Sequence, residues 1–125
     1  MIKDCYKCFD NEERLLRENP YVREKVRKYL AMKGLDTTLK GFSYLEDIIA
    51  LSLVRRKYSR TTIAELTPYI AYKNGIKDFS VQRQLRYCCT IKNHYKPIDI
   101  CEKAWYELMR ELEKEKQQKE KEKRF

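Results

Sequence analysis

The sequence predicts an all-α fold: a compact bundle of about five or six helices that contains a helix-turn-helix, with an extended charged C-terminal helix. Apolar residues recur at three- and four-residue steps through most of the chain, which is the period of an α-helix. Most of the glycines and prolines stand where these segments start or end. With 125 residues, 42% of them hydrophobic, the chain can bury a real core as one domain.

The charge balance points to a polyanionic partner. The formal net charge is +9 and the pI is near 9.3, and phosphates bind basic proteins largely without regard to sequence. Basicity alone does not choose between DNA, RNA and anionic lipid. No apolar run approaches the roughly 18 residues of a membrane span, and the N-terminus has no hydrophobic signal region. We therefore expect a cytoplasmic protein that does not bind membranes.

The cysteines predict reduced thiols rather than a disulfide framework, because their number is odd and two of them are adjacent in a predicted helix. They are Cys5, Cys8, Cys88, Cys89 and Cys101. Cys5 and Cys8 have the spacing of half a zinc site, but the chain offers no second CxxC and one histidine, His94. Zinc binding by this pair is left open and disfavoured, so we expect no metal and no cofactor.

The first 19 residues predict a loosely attached N-terminal arm with a short helix. Pro20 suits the first turn of the first core helix, and Gly34 is placed to end that helix in a left-handed C-cap. The predicted core positions of this helix are Val22, Val26, Tyr29, Leu30 and Met32.

A second helix is predicted from about residue 44 to 56, after a chain break at Gly41. Ser43 and Glu46 have the spacing of a capping box at its start. Its predicted buried stripe is Leu45, Ile48, Ile49, Leu53 and Val54. Its basic end either stabilises the helix C-terminus or contacts phosphate, two alternatives that the sequence leaves open. The basic residues are Arg55, Arg56, Lys57 and Arg60.

The next two segments predict a helix-turn-helix, with helices at about 62–74 and 80–94. Thr61 or Thr62 can cap the first of them, with Glu65 as the reciprocal partner, and Pro68 predicts a distortion or a break near Thr67. Its inner face is Ile63, Leu66, Ile70 and Ala71. A turn at Asn74 and Gly75 and an N-cap at Ser80 separate the two helices, the second of which is basic.

On a helical wheel, the second helix of this pair has one apolar side at Val81, Leu85 and Cys88. The opposite side carries Gln82, Arg83, Arg86, Tyr87, Thr90 and Asn93, and residues 79–96 include no acidic residue. Arginine pairs with guanine and glutamine with adenine through two hydrogen bonds in the major groove. The pattern predicts a DNA-reading face, against the alternative of a merely solvated helix surface.

Pro97 opens the last segment, whose apolar seam either packs on the domain or pairs two chains as a homodimer. The seam consists of Cys101, Trp105, Leu108 and Leu112. Glu113 begins a charged tail without an apolar side, which predicts a solvated helix that frays. The predicted organisation is an arm at 1–19, a DNA-binding domain at 20–96, and a C-terminal helix and tail at 97–125.

Two blocks of the sequence carry recognisable motifs. Residues 34–49 read GLDTTLKGFSYLEDII, and in the second block residues 66–71 read LTPYIA and residues 81–87 read VQRQLRY. These blocks resemble the C-terminal DNA-binding effector domain of the sporulation stage-zero master response regulator. That family has a glycine, an apolar residue, a short polar stretch, then Ile-Lys-Gly-Tyr-x-Tyr-Leu and an apolar pair in the first block, and Leu-Tyr-Pro-x-Ile-Ala and Val-Glu-Arg-Ala-Ile-Arg-His in the second. The resemblance covers residues 22–94.

The resemblance implies an all-helical domain whose helix-turn-helix binds double-stranded DNA, and it carries the family's recognition-helix arginines onto Arg83 and Arg86. It also accounts for Pro68. The chain departs from the family at Ser80, Gln82 and Tyr87, so we expect a different target sequence. Because 19 residues precede Pro20, we expect no receiver domain and no control by aspartyl phosphorylation.

The leading hypothesis is a stand-alone, sequence-specific transcriptional regulator in a bacterium or one of its mobile elements. Gln82, Arg83 and Arg86 are the predicted base-reading residues. Contacts to the DNA backbone are predicted for the amides at the start of the second motif helix and for Ser80, Tyr87, Thr90, Thr61, Thr62 and Lys77.

The alternative is an interaction protein without a receiver domain, which pairs through the 101–112 seam with a full-length regulator or another protein and antagonises it. An enzyme is not expected. The chain has one histidine, no glycine-rich phosphate loop and no paired carboxylates tied to a pocket. Cys88 and Cys89 fall near the predicted buried face and are expected in the core rather than as nucleophiles.

Overall fold

The computed structural model describes residues 9–92 and 94–123. Over these residues the protein contains six α-helices and no strand, which confirms the predicted all-α bundle. In chain order the helices are α1 Asp10–Glu18, α2 Pro20–Met32, α3 Lys40–Arg55, α4 Thr62–Asn74, α5 Asp78–Thr90 and α6 Pro97–Lys123. Across the described part of the chain, no helix has both the length and the apolar composition that a membrane span requires.

The central helix of the bundle is α3, which contacts each of the other five helices. Leu45, Ile48 and Ile49 are fully buried and Leu53 is nearly so, as the predicted stripe requires, whereas Val54 is half-buried. A helix that is apolar on nearly every side is stable only when it is covered on nearly every side. The other helices are therefore arranged around α3.

The start of α3 differs from the prediction. The helix begins at Lys40, one turn before the expected start, and its N-cap residue Leu39 makes no side-chain capping bond. Ser43 is an exposed residue inside the first turns, and Glu46 is buried and hydrogen-bonded to Arg27 of α2. The predicted capping box is wrong because the glutamate makes a long-range ion pair instead.

Gly41 lies inside α3, where this helix approaches α5, and it does not break the chain as predicted. A Cβ atom at this position would lie 2.1 Å from the carbonyl oxygen of Gln84 and 2.6 Å from the Cβ of Cys88. Both distances are too short for any side chain, so only glycine allows the two helices to come this close. Gly41 thus fixes the position of α5 on α3.

The first helices are packed more firmly than the predicted arm. Leu16 of α1 is 2% exposed, and the ring of Phe9 lies 4.7 Å from the ring of Tyr69 in α4. In α2 the predicted apolar face is buried, with Tyr29 at its rim, but Met32 is 87% exposed and does not belong to the core. Gly34 has φ +88° and follows the end of α2, as predicted.

A set of paired charges joins α1, α2, α3 and α4, and we call it the paired-charge cluster. The Arg23 guanidinium lies 2.5 Å from Asp47 and 3.6 Å from Glu46, and Arg27 Nε donates to Glu46 over 2.8 Å. Glu46 and Asp47 are 6% and 8% exposed, so these pairs are largely shielded from water. The cluster consists of Glu13, Arg23, Arg27, Glu46, Asp47 and Lys73.

The apolar seam of α6 packs against the core of its own chain. Cys101 and Leu108 are buried, Trp105 and Leu112 are half-buried, and Trp105 Nε1–H donates to the backbone carbonyl of Ser52 over 3.0 Å. Of the two alternatives for the seam, packing on its own domain is the one that the structure shows, and Trp105 and Leu112 keep part of their surface exposed. Pairing with a second chain or with another protein through the seam stays a prediction.

Beyond the seam, α6 continues as a regular helix. Residues 113–121 are exposed, and the helix extends to Lys123. The Lys25 ammonium lies 2.5 Å from Glu115, which joins this extension to α2. The charged tail that was expected to fray is thus helical over most of its length, with its first turns attached to the bundle.

Candidate nucleic-acid interface

The helix pair α4 and α5 is joined by three residues, Gly75, Ile76 and Lys77. Gly75 has φ +65°, and the Ile76 amide donates to the Ala71 carbonyl over 3.0 Å, which closes the end of α4. The predicted turn at Asn74 and Gly75 is confirmed. Both helices contact α3 and each other, so together they form a helix-turn-helix held on the central helix.

The first helix of the pair, α4, is continuous from Thr62 to Asn74 in spite of Pro68. Of the two predicted outcomes near Thr67, a distortion or a break, the break is therefore absent. Pro68 has no amide proton to donate within the helix. In the same turn, the Thr67 hydroxyl donates to the Ile63 carbonyl over 2.5 Å and adds a hydrogen bond beside the missing one.

The second helix of the pair, α5, begins two residues earlier than predicted. Lys77 is its N-cap residue and Asp78 its first helical residue, so the predicted N-cap Ser80 is a half-buried member of the first turn. The Asp78 carboxylate supplies the negative charge that favours a helix N-terminus. That charge also repels phosphate, and the amides at this end of α5 are poor candidates for a phosphate contact.

The two sides of α5 differ as the helical wheel predicted. Val81, Leu85 and Cys88 are buried in the core, and so is Cys89. The opposite side exposes the three predicted base-reading residues, Gln82, Arg83 and Arg86. Over the residues that the structure describes, these three side chains form no ion pair and no hydrogen bond with the protein. Their donors are thus available to a ligand.

The exposed side of α5 also carries an aromatic ring that the sequence analysis did not identify. Phe79 is 55% exposed. The Arg83 guanidinium lies 5.8 Å and the Lys77 ammonium 6.0 Å from the centre of its ring. Phe79 was missed because the helix was predicted to start at Ser80. A wheel extended back by one residue places it between Arg83 and Arg86.

Two of the residues predicted to contact the DNA backbone are exposed in this region and add hydrogen-bond donors to it. Lys77 is exposed at the end of the turn, and Tyr87 is 48% exposed one turn beyond Arg83. Thr90 is also exposed, but its hydroxyl donates to the Arg86 carbonyl over 2.8 Å. Its proton is already used within α5, so Thr90 has only acceptor capacity to offer. Asn93 lies outside the described residues.

The two threonines before α4 do not have the predicted role. Thr62 is 1% exposed, and its Oγ1 accepts a hydrogen bond from the Ser59 amide over 2.8 Å, so it cannot reach phosphate. Thr61 is exposed, but its hydroxyl donates to the Glu65 carboxylate over 2.8 Å, and that negative charge would repel phosphate. Neither threonine caps α4 by a side-chain bond to the backbone.

The basic segment between α3 and α4 divides into one paired and three unpaired cations. Arg55 lies 3.6 Å from Glu65 and over the ring of Phe9, which favours the structural alternative for this residue. Arg56, Lys57 and Arg60 are exposed and form no ion pair with the described residues. They lie in the segment that directly precedes the helix-turn-helix.

The thiols of the described region lie in the core. Cys88, Cys89 and Cys101 are buried, as predicted for the first two. Burial raises the pKa of the Cys88 thiol to about 11 and that of Cys89 to about 12, so both stay protonated near neutral pH. Within residues 9–92 and 94–123, no three His, Cys, Asp or Glu side chains are grouped to hold a metal. Cys5 and Cys8 lie outside the described residues.

The candidate interface therefore consists of α5 and the turn before it. It combines unpaired arginine and glutamine donors, one exposed aromatic ring and a lysine, with Asp78 as the acidic residue of its first turn. Comparison of the chain with protein-family models, curated proteins and solved structures finds no match.

Proposed function

We propose that this protein binds double-stranded DNA in a sequence-specific manner and regulates transcription, with α5 as the recognition helix in the major groove. One observation carries the proposal: Gln82, Arg83 and Arg86 share the exposed side of α5 and form no ion pair and no hydrogen bond with the described residues. Long polar side chains without an internal partner are the groups that an external ligand can bind.

The residue types fit base edges. Arginine binds the O6 and N7 atoms of guanine, and glutamine binds the N6 and N7 atoms of adenine, each through two hydrogen bonds. Recognition helices contact bases mainly through residues in their N-terminal part. Gln82, Arg83 and Arg86 lie in the first nine residues of the 13-residue helix α5. We propose that Gln82, Arg83 and Arg86 contact successive base pairs along the groove in the order in which they follow one another in α5.

The charge distribution supports a phosphate contribution to binding. Lys77 and Tyr87 flank the base-reading residues, and both can donate to phosphate oxygens. The unpaired cations Arg56, Lys57 and Arg60 add long-range attraction to a polyanion. Of the other predicted backbone contacts, Ser80 is retained for its half-buried hydroxyl, whereas Thr61, Thr62, Thr90 and the amides at the start of α5 are not.

The regulatory part of the proposal depends on the resemblance to the sporulation regulator's effector domain. A bacterial chain that binds its operator through one helix-turn-helix controls transcription by occupying that site. A bacterial DNA-binding protein works in the cytoplasm, and this is the location we propose.

Selection from a pool of random-sequence DNA duplexes at two salt concentrations tests the proposal. We expect a short motif to be enriched and to persist at the higher salt, because base contacts depend on salt less than phosphate contacts do. The matched variants are Arg86→Ala on α5 and Arg110→Ala on α6, each of which removes one exposed arginine. Binding that shows no motif and disappears with salt would overturn the proposal.

A further inference from the structure

We propose that Phe79 reads the 5-methyl group of a thymine in the DNA site, next to the base that Arg83 binds. This inference rests on the proposed function and adds to it a specific base and a further specificity-determining residue. Three observations carry it: the exposure of the Phe79 ring, its position on the base-reading side of α5, and the two cations beside it.

The exposure of Phe79 has no explanation inside the protein. The ring is 55% exposed in the first turn of α5, although the same helix places Val81 and Leu85 in the core. Its direction on the wheel lies between those of Arg83 and Arg86. An α5 that enters the major groove far enough for the arginines to bind bases also brings the Phe79 ring to the base edges.

The two cations beside the Phe79 ring indicate where the ring lies in the complex with DNA. The Arg83 guanidinium and the Lys77 ammonium lie 5.8 Å and 6.0 Å from the ring centre, within the range of cation–π attraction. Both cations are expected to approach guanine or phosphate in the complex. The ring between them therefore approaches the DNA together with them, and binding would remove its apolar surface from water.

The chemistry of the ring selects the base. A phenyl ring has no hydrogen-bond donor or acceptor, so it cannot distinguish bases by their polar edges. In the major groove, the thymine 5-methyl group is the apolar feature that differs between base pairs. A phenylalanine on this side of α5 thus favours thymine at the position that it contacts. It disfavours a base that presents only polar groups there.

The test replaces thymine by uracil, one position at a time, in the duplex motif that the full chain selects. This change removes one methyl group and leaves every hydrogen bond in place. For the unmodified protein we expect one position at which uracil weakens binding about fourfold, the equivalent of one buried methyl group. Phe79→Ala should bind the thymine and uracil duplexes equally, and Phe79→Leu should retain most of the preference.

Met32→Ala serves as the control, because Met32 is an exposed apolar residue at the end of α2. This variant should keep the full thymine preference. A motif without a uracil-sensitive position, or an unchanged thymine preference in Phe79→Ala, would overturn the role of Phe79 and leave the proposed function standing. A chain that selects no motif at all would overturn both proposals.

Discussion

The paired-charge cluster and the exposed side of α5 use basic residues in opposite ways. In the cluster, Arg23 and Arg27 of α2 bind the buried carboxylates Glu46 and Asp47, with contacts between 2.5 and 3.6 Å. On α5, Arg83 and Arg86 point into solvent and have no carboxylate partner among the described residues. One set of arginines completes the fold, and the other remains available for binding.

This difference indicates which part of the net charge of +9 can attract a polyanion. A total charge counts Arg23 and Arg86 alike, but the potential around Arg23 is largely cancelled by the carboxylates that surround it. At α5 the positive potential is opposed mainly by Asp78 at the helix start. A polyanion is therefore attracted to the second region, although the first contains as many basic groups.

The largest expected effect is on stability and concerns the packing of α5 against α3. Gly41→Ala should destabilise the protein by about 3 kcal/mol, because the new Cβ would overlap the backbone of α5 at Gln84 and force the helices apart. The free energy of unfolding in urea measures this loss.

Gly75→Ala is the matched control for that variant. Gly75 has open space around it and only its φ of +65° opposes a side chain, so we expect a loss of about 1 kcal/mol. Equal losses for the two alanine variants would show that the close approach of α3 and α5 is not the constraint we describe.

The next largest expected effect is on stability and follows from a substitution in the paired-charge cluster. Glu46→Gln removes the charge that Arg23 and Arg27 bind, and we expect a loss of about 2 kcal/mol because the arginines then lack part of their compensation. Thermal or urea unfolding measures the change, with Glu111→Gln as the exposed control, where about 0.5 kcal/mol or less is expected. DNA affinity of the folded Glu46→Gln variant should stay unchanged. A selective loss of DNA binding would contradict the division between the two regions.

The buried side of α5 should respond to alkaline pH. Burial raises the pKa of Cys89 to about 12, whereas an unfolded thiol titrates near 8.5. Above pH 8.5 the unfolded state therefore binds fewer protons than the folded state, and the free energy of unfolding falls as the pH rises. We expect a contribution on the order of 1 kcal/mol between pH 8 and 10. Cys89→Ala should show a flatter pH dependence of unfolding; an identical slope would exclude this thiol as a source.

The smallest expected effect is on DNA affinity and concerns Lys77, beside the exposed side of α5. Lys77→Ala should weaken binding to all DNA sequences alike and reduce the salt slope of log K by about one, because a lysine at the turn contacts phosphate rather than a base. Titrations of a motif duplex and a scrambled duplex at several salt concentrations measure both quantities. A loss confined to the motif duplex would instead assign Lys77 to base reading.

Much of the fold follows from local patterns in the sequence. The apolar periodicity gave the helices, and Gly34 and Gly75 mark two helix ends because each adopts a positive φ that other residues disfavour. The exposed and buried sides of α5 were also predictable, because a helical wheel needs only the sequence once the helix is known. The candidate residues Gln82, Arg83 and Arg86 came from that wheel.

Two of the errors have a different physical origin, since each of them depends on a contact between residues distant in sequence. Gly41 resembles a chain break until α5 is placed against it, and Glu46 resembles a capping residue until Arg27 reaches it. The sequence left two alternatives open for the seam around Trp105 for the same reason, because α3, which covers it, lies about fifty residues earlier, as the bond to Ser52 shows. Phe79 was missed for a local reason, an error of two residues at the start of α5.

The most direct test of the central claim is the specificity ratio of Arg86→Ala, measured as affinity for the selected motif divided by affinity for a scrambled duplex at one salt concentration. If Arg86 reads a base, the variant should lose about 1–3 kcal/mol on the motif and much less on the scrambled duplex, so the ratio falls. Arg110→Ala, with the same change of charge on α6, should leave the ratio unchanged. Equal losses of Arg86→Ala on both duplexes would mean that α5 contributes charge alone, and the account of a base-reading helix would be contradicted.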